Sequence, residues 1–147
     1  MIPVDATGVP SPVLSPEEQA SFARGVDEFN EGRFFECHDT LESIWVGVRG
    51  PARDFFQGLI QVAVGFYHLD NGNRIGAERL LDRALKRLEA YPDHYGGIDL
   101  GDLRKAVTAW RRALEPASEA DTARRPPPRF VLTSVAAPEP ARGSTDG

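Results

Sequence analysis

Residues 52–69 hold the most constraining pattern in the chain. Phe55, Phe56, Leu59, Ile60, Val62, Ala63, Val64, Phe66 and Tyr67 fall on almost every side of a helix that turns about 100° per residue. A helix apolar around most of its circumference is stable in water only when neighbours cover it on several sides. The apolar run from Leu59 to Phe66 is interrupted by Gln61 and Gly65 and is far too short to cross a bilayer. The segment is therefore expected at the centre of a helical bundle, as a helix from Ala52 to Leu69. Gly58 and Gly65 lie two turns apart on one side of it. Each costs about 1 kcal/mol relative to alanine inside a helix, which predicts a neighbouring helix packed closely against that side.

Helix signals flank this segment on both sides. Ser15-Pro16-Glu17-Glu18 combines an N-cap serine, proline at the first helical position and a glutamate that completes a capping box. Phe22, Val26 and Phe29 form the stripe of this first helix, and Gly32 ends it. A second helix is predicted from Arg33 to Val48, with Phe34, Cys37, Leu41, Ile44, Trp45 and Val48 at helical spacing and Gly50-Pro51 as the turn that follows. Asn71-Gly72-Asn73 closes the third helix. A fourth is predicted from Arg74 to Tyr91, with Ile75, Ala77, Leu80, Leu81, Ala84, Leu85 and Leu88 inward and Arg79, Arg83, Lys86 and Arg87 outward. Pro92 to Gly97 reads as a loop. Asp99 with Asp102 predicts the cap of a fifth helix, striped by Leu103, Val107, Trp110 and Leu114.

The glycine turns recur. Gly32, Cys37, Leu41 and Glu42 reappear as Gly72, Ala77, Leu81 and Asp82, about 40 residues on. The predicted fold class is thus all-α: a five-helix bundle of two antiparallel αα-hairpins, tetratricopeptide-like, plus a C-terminal helix and an extended tail. Residues 1–14, with three prolines, read as a flexible N-terminal arm, 15–115 as the helical domain and 116–147 as a Pro-rich C-terminal tail. In that tail Arg124-Arg125-Pro126-Pro127-Pro128-Arg129 reads as polyproline-like. The apolar patch that follows predicts that 128–132 packs back on the helices, with the last residues disordered.

Composition narrows the function classes. The net charge is -5, so counterion release on DNA or RNA offers nothing and no nucleic-acid partner is expected. Met1-Ile2-Pro3-Val4-Asp5 carries neither the basic nor the apolar region of a secretion signal. With no membrane segment either, a cytoplasmic location is the expectation. Cys37 is the single cysteine, which excludes an internal disulfide and a zinc site built from several thiolates. It lies on the apolar side of its helix and reads as a small core residue. His38 projects about 100° away from it, so no Cys/His dyad follows.

The chemically suggestive segment is Phe34-Phe35-Glu36-Cys37-His38-Asp39-Thr40-Leu41-Glu42. On a helical wheel Leu41 centres the apolar face, His38 falls inside that face toward its edge with Glu42, and these i,i+4 neighbours are both expected to point inward. Glu36 and Asp39 are expected to face solvent. In the third helix Gln57, Gln61, Val64 and His68 form a stripe on an otherwise apolar rod. Sequential helices joined by a short turn are antiparallel neighbours, so His38 and Glu42 are expected opposite Gln57, Gln61 or His68. Three readings of this candidate buried site stay open. It is a structural polar network that fixes helix register. Or it holds a divalent metal or small ligand through His38, Glu42 and His68 with Gln61 in support, with hydrolytic chemistry as one outcome. Or the hairpins bind a protein partner, or a second copy of the chain, as tetratricopeptide-like helices do.

Three stretches together resemble a known family. They are Asn30-Glu31-Gly32-Arg33-Phe34-Phe35-Glu36-Cys37-His38-Asp39-Thr40-Leu41-Glu42-Ser43-Ile44-Trp45, then Phe56-Gln57-Gly58-Leu59-Ile60-Gln61-Val62-Ala63, then Tyr67-His68 with Gly72-Asn73 and Gly76-Ala77. In order and spacing, from roughly Phe22 to Leu114, they resemble the domain of unknown function 309 family. The resemblance implies a compact helical bundle and no particular activity. It marks His38, Glu42, Trp45, Gln57, Gly58, Gln61, His68 and Gly72 as positions matching the family's pattern, which adds Trp45 to the candidate ligand-binding set. Where the family usually has alanine and His-Glu, this chain has Cys37, His38 and Asp39, so the acid is kept but shortened.

Overall fold

The computed structural model describes residues 12–115 and 126–132. The expectations for the N-terminal arm before residue 12 and for the end of the tail lie outside the described residues. Five helices follow in order: α1 (Pro16–Asn30), α2 (Phe34–Trp45), α3 (Ala52–Asp70), α4 (Arg74–Leu88) and α5 (Leu100–Ala113), with a two-stranded hairpin, β1 (His94–Tyr95) and β2 (Ile98–Asp99), between α4 and α5. Each helix packs chiefly on the next: α1 on α2, α2 on α3, α3 on α4, α4 on α5. The fold is all-α apart from that hairpin.

The predicted caps are present. Ser15 Oγ accepts from the Glu18 N–H while Glu18 reaches back to the Ser15 N–H. Asn73 caps α4 through the Gly76 N–H, and Asp99 caps α5 through the Asp102 N–H. Gly32 and Gly72 sit at φ of 82° and 77°, where a side chain is strained, so each can reverse the chain between the helices of a hairpin.

Helix α3 is the hub. Phe55, Leu59, Val62 and Ala63 have no measurable exposure. Its rings reach the other helices: Phe56 meets Phe22 of α1 at 5.7 Å, and Phe66 meets Phe29 of α1 at 6.1 Å, Phe34 of α2 at 5.7 Å and Trp110 of α5 at 5.4 Å. Phe55 packs edge-on against Tyr91 and Tyr95. The glycine side takes α4, as expected. A Cβ on Gly58 would lie 2.6 Å from Leu88 Cδ2, and one on Gly65 would lie 2.9 Å from Leu81 Cδ2.

Several expectations are corrected. Helix α2 stops at Trp45 rather than Val48, because Arg53 Nη1 takes the Trp45 and Val48 carbonyls at 3.0 and 3.1 Å and closes the turn early. Helix α4 stops at Leu88 rather than Tyr91, where Arg104 Nη1 of α5 donates to the Leu88 and Tyr91 carbonyls. Ile75, placed inward by periodicity, is 64% exposed, since it lies in the first turn of α4. The segment read as a loop contains β1. Its hairpin turns through Gly96 and Gly97, both with positive φ, the geometry favoured for two-residue hairpins.

The Gly58–Leu88 contact yields a prediction. Gly58→Ala gains about 1 kcal/mol of helix propensity and incurs an overpacking cost of about 1–3 kcal/mol, because Leu88 is itself buried. Urea denaturation should show a net loss of about 1 kcal/mol. In a Leu88→Ala background the same substitution should become stabilising.

Candidate functional site

Helix α2 buries Phe34, Cys37, Leu41 and Ile44. Measured around the helix from Leu41, His38 lies at about 60°, Glu42 at about 100° and Asp39 at about 160°. These three therefore climb from the edge of the core out into solvent. The side chain of His38 is 23% exposed, that of Glu42 51% and that of Asp39 62%. Glu42, expected to point inward, is thus at the rim, because 100° from the centre lies beyond the arc that α1 and α3 cover. The site is a half-open rim and not a buried pocket.

The imidazole of His38 stands between the two carboxylates. Nδ1 lies 3.3 Å from Asp39 Oδ1, and Nε2 lies 3.8 Å from Glu42 Oε2. Neither approach is a hydrogen bond, and the Nδ1 atom is buried without a hydrogen-bond partner. One ligand atom from each of His38, Asp39 and Glu42 falls within 4.8 Å of the others. Among the described residues no such cluster includes His68, which stands at the far end of α3 with Nδ1 3.5 Å from Asn73 Nδ2. Asp39 is exposed, as expected, and it, rather than His68, lies in the cluster with His38 and Glu42.

The remaining candidates divide. Gln61 is 8% exposed, and its Oε1 has no hydrogen-bond partner; Gln57 is half-buried. Trp45 is half-buried under the Arg53 guanidinium, 3.9 Å above its ring, and its indole N–H also lacks a partner. Exposed Phe35 joins the rim to α3, its ring 5.7 Å from His38 and 5.4 Å from Tyr67. A groove lies on another face, between α4 and α5, lined by Lys86, Arg104 and Thr108 among others, and shares no residue with the rim.

Sequence reasoning missed one buried polar pair. Thr40 Oγ1 donates to Glu28 Oε1 at 2.7 Å across the α1–α2 interface, with Arg24 Nε 3.8 Å from the other oxygen. Glu28 lies three residues, nearly one turn, from Gly25 on the face of α1 that packs on Thr40 and Leu41 of α2. This carboxylate also acts on Cys37. Burial first, and the Glu28 charge second, push the thiol up to about 12. A thiol held protonated is a poor nucleophile. In folded protein at pH 8.5, iodoacetamide should alkylate Cys37 on the order of 10³-fold more slowly than in denaturant, as followed by intact mass. Comparable rates in the two states would contradict the burial described.

Fold and rim together define a small two-hairpin helical protein with a polar edge on its second helix. Residues 22–80 match the family model described as "Domain of unknown function (DUF309)", which bears out the family resemblance from Phe22 in α1 through α2 and α3 to Leu80 in α4. The chain is 29% identical over 77 residues to an "Uncharacterized protein" of Aquifex aeolicus (strain VF5), and 38% identical over 76 residues to "Uncharacterized protein YpuF" of Bacillus subtilis (strain 168). These alignments take 52% and 50% of this chain but 23% and 42% of the relatives, so the chain spans less than half the length of either. His38, Glu42, Trp45, Gln57, Gln61 and His68 all fall inside the matched span. Helix α5 and the tail fall outside it.

Proposed function

We propose that this protein is a binding protein whose α2 rim holds a divalent cation through His38, Asp39 and Glu42. The observation that carries the reading is the convergence of one imidazole and two carboxylates, with ligand atoms within 4.8 Å of one another, beside an imidazole nitrogen that has no hydrogen-bond partner. A nitrogen donor with two hard oxygen donors suits Zn²⁺, Mn²⁺ or Fe²⁺. The donors come from adjacent turns of one helix, so α2 presents them without help from a loop. Three protein ligands on a half-open rim leave coordination positions for water or a polar ligand, and hydrolytic chemistry would belong there.

A second reading is favoured by the aromatic neighbours of the rim. Phe35 is 51% exposed and Tyr67 37% exposed, and the two rings touch beside His38. Aromatic residues on a polar-edged surface are typical anchors of protein contacts, and the same rim would then serve a protein partner. No helix among the described residues is long and apolar enough to cross a membrane.

Calorimetric titration of metal-free protein tests the cation reading. One equivalent of Zn²⁺ or Mn²⁺ should bind, with His38→Ala weakening it at least tenfold, or about 1.4 kcal/mol. Asp39→Asn and Glu42→Gln should each weaken it by a similar factor, and His68→Ala should leave it unchanged. Binding should also weaken on acidification, because the ligands must shed protons to coordinate. Equal affinity of wild type and His38→Ala would overturn the assignment, and a matching loss in His68→Ala would reject this ligand set.

A further inference from the structure

The segment 126–132 lies across the bundle in an extended form, and the bundle grips it by its main chain. At its start the indole N–H of Trp110 donates to the Pro126 carbonyl at 2.8 Å. At its middle the Asn30 carboxamide takes both backbone groups of Phe130: Nδ2 donates to the carbonyl at 3.0 Å, and Oδ1 accepts from the N–H at 2.8 Å. Near its end the Asp99 N–H donates to the Val131 carbonyl at 2.8 Å, and Leu132 forms an antiparallel bridge with Ile98. The segment thereby extends the β1–β2 hairpin on the side of β2.

Side chains alternate from Pro127 to Val131, and Leu132 beyond them is exposed. Pro128 and Phe130 are buried, while Arg129 and Val131 are exposed, the period-two pattern of an extended strand. The Phe130 ring stacks on Phe29 with centroids 3.9 Å apart and planes 5° apart. All these polar contacts therefore engage backbone, and two inward side chains supply the rest. Peptide-recognition grooves divide the work in this way: main-chain hydrogen bonds give affinity and pockets for alternate side chains give specificity. A single asparagine amide, with one donor group and one acceptor, stands in for a neighbouring strand. The prolines favour the extended form before docking, which lowers the entropy lost on binding.

We infer that the groove formed by Phe29, Asn30, Ile98, Asp99 and Trp110 is a peptide-binding site for extended segments of the pattern Pro-x-aromatic. The chain's own 126–132 is its resident ligand, and a segment of the same chemistry on a partner protein competes for the groove. Because the resident segment is tethered, its effective concentration is on the order of millimolar, so a competitor succeeds when the resident is weakened or the partner is dense.

The test uses the full chain and a labelled synthetic peptide with the sequence of residues 126–132. The peptide should bind the Phe130→Ala chain at least tenfold more tightly than wild type, by fluorescence anisotropy. A peptide bearing Phe130→Ala should lose at least tenfold on that same chain. In ¹H–¹⁵N spectra the Trp110 indole and Asn30 carboxamide signals should move as peptide is added. If the Phe130→Ala chain loses its helical circular dichroism, Phe130→Leu, which keeps apolar volume without ring stacking, replaces it under the same criteria. A folded variant that binds no peptide, or binding that leaves the Trp110 indole signal in place, overturns the inference.

Discussion

The packing of α3 is the constraint on which the rest of this structure depends. A helix that is apolar on nearly all sides needs neighbours on nearly all sides, and each neighbour is met by a different kind of surface. Phenylalanines 56 and 66 project toward α1, α2 and α5. Gly58 and Gly65 give the opposite treatment to α4, whose Leu81 and Leu88 enter the space where side chains would stand. Large rings on some sides and bare backbone on another let one helix carry several interfaces within a short chain. Each fully buried phenylalanine contributes about 1.5–3 kcal/mol, so the aromatic contacts of α3 outweigh the small cost of its two glycines.

The candidate site follows from the same packing. Helix α2 is covered by α1 on one flank and α3 on another, so its buried arc is set by both. Leu41 and Cys37 fall inside that arc, and His38 falls at its edge. Glu42 and Asp39 fall beyond it, free to converge on the imidazole from two sides. The arrangement costs little in desolvation because both carboxylates keep contact with water. Glu28 and Thr40 show the contrasting solution at the α1–α2 interface, where a carboxylate taken out of water is met by a hydroxyl at 2.7 Å. Buried polar groups need such partners, and the His38 Nδ1, Trp45 Nε1 and Gln61 Oε1 atoms lack them.

The C-terminal segment adds a different kind of interface. The core is held by interdigitating side chains, whereas the strip at 126–132 is held chiefly through its backbone. Asn30 ends α1, and its side chain continues past the last helical turn to pair with Phe130, 100 residues away in sequence. Phe130 then joins the ring cluster of Phe29, Phe34 and Phe66, so the strip reports directly on the end of the bundle where α1, α2 and α3 meet.

Much of the chain's organisation was legible from local signals, inside the family match at residues 22–80 and outside it. The Ser15–Glu18 capping box, the Asn73 and Asp99 caps, the glycine turns and the all-round apolar pattern of α3 each act within a turn or two of helix. Their consequences could therefore be read without knowing what packs where. The i,i+4 relation of His38 and Glu42 was legible for the same reason. What only the tertiary structure decided depends on neighbours distant in sequence. The width of the buried arc on α2 left Glu42 half-exposed at the rim, and the packing of α3 put His68 outside the His38 cluster. The side chains of Arg53 and Arg104 set where α2 and α4 end. The grip of Asn30, Asp99 and Trp110 on the tail exists only once α1, β2 and α5 are side by side. Periodicity reports which way a side chain leaves its own helix, and it carries no information on how far a neighbouring helix extends to cover it.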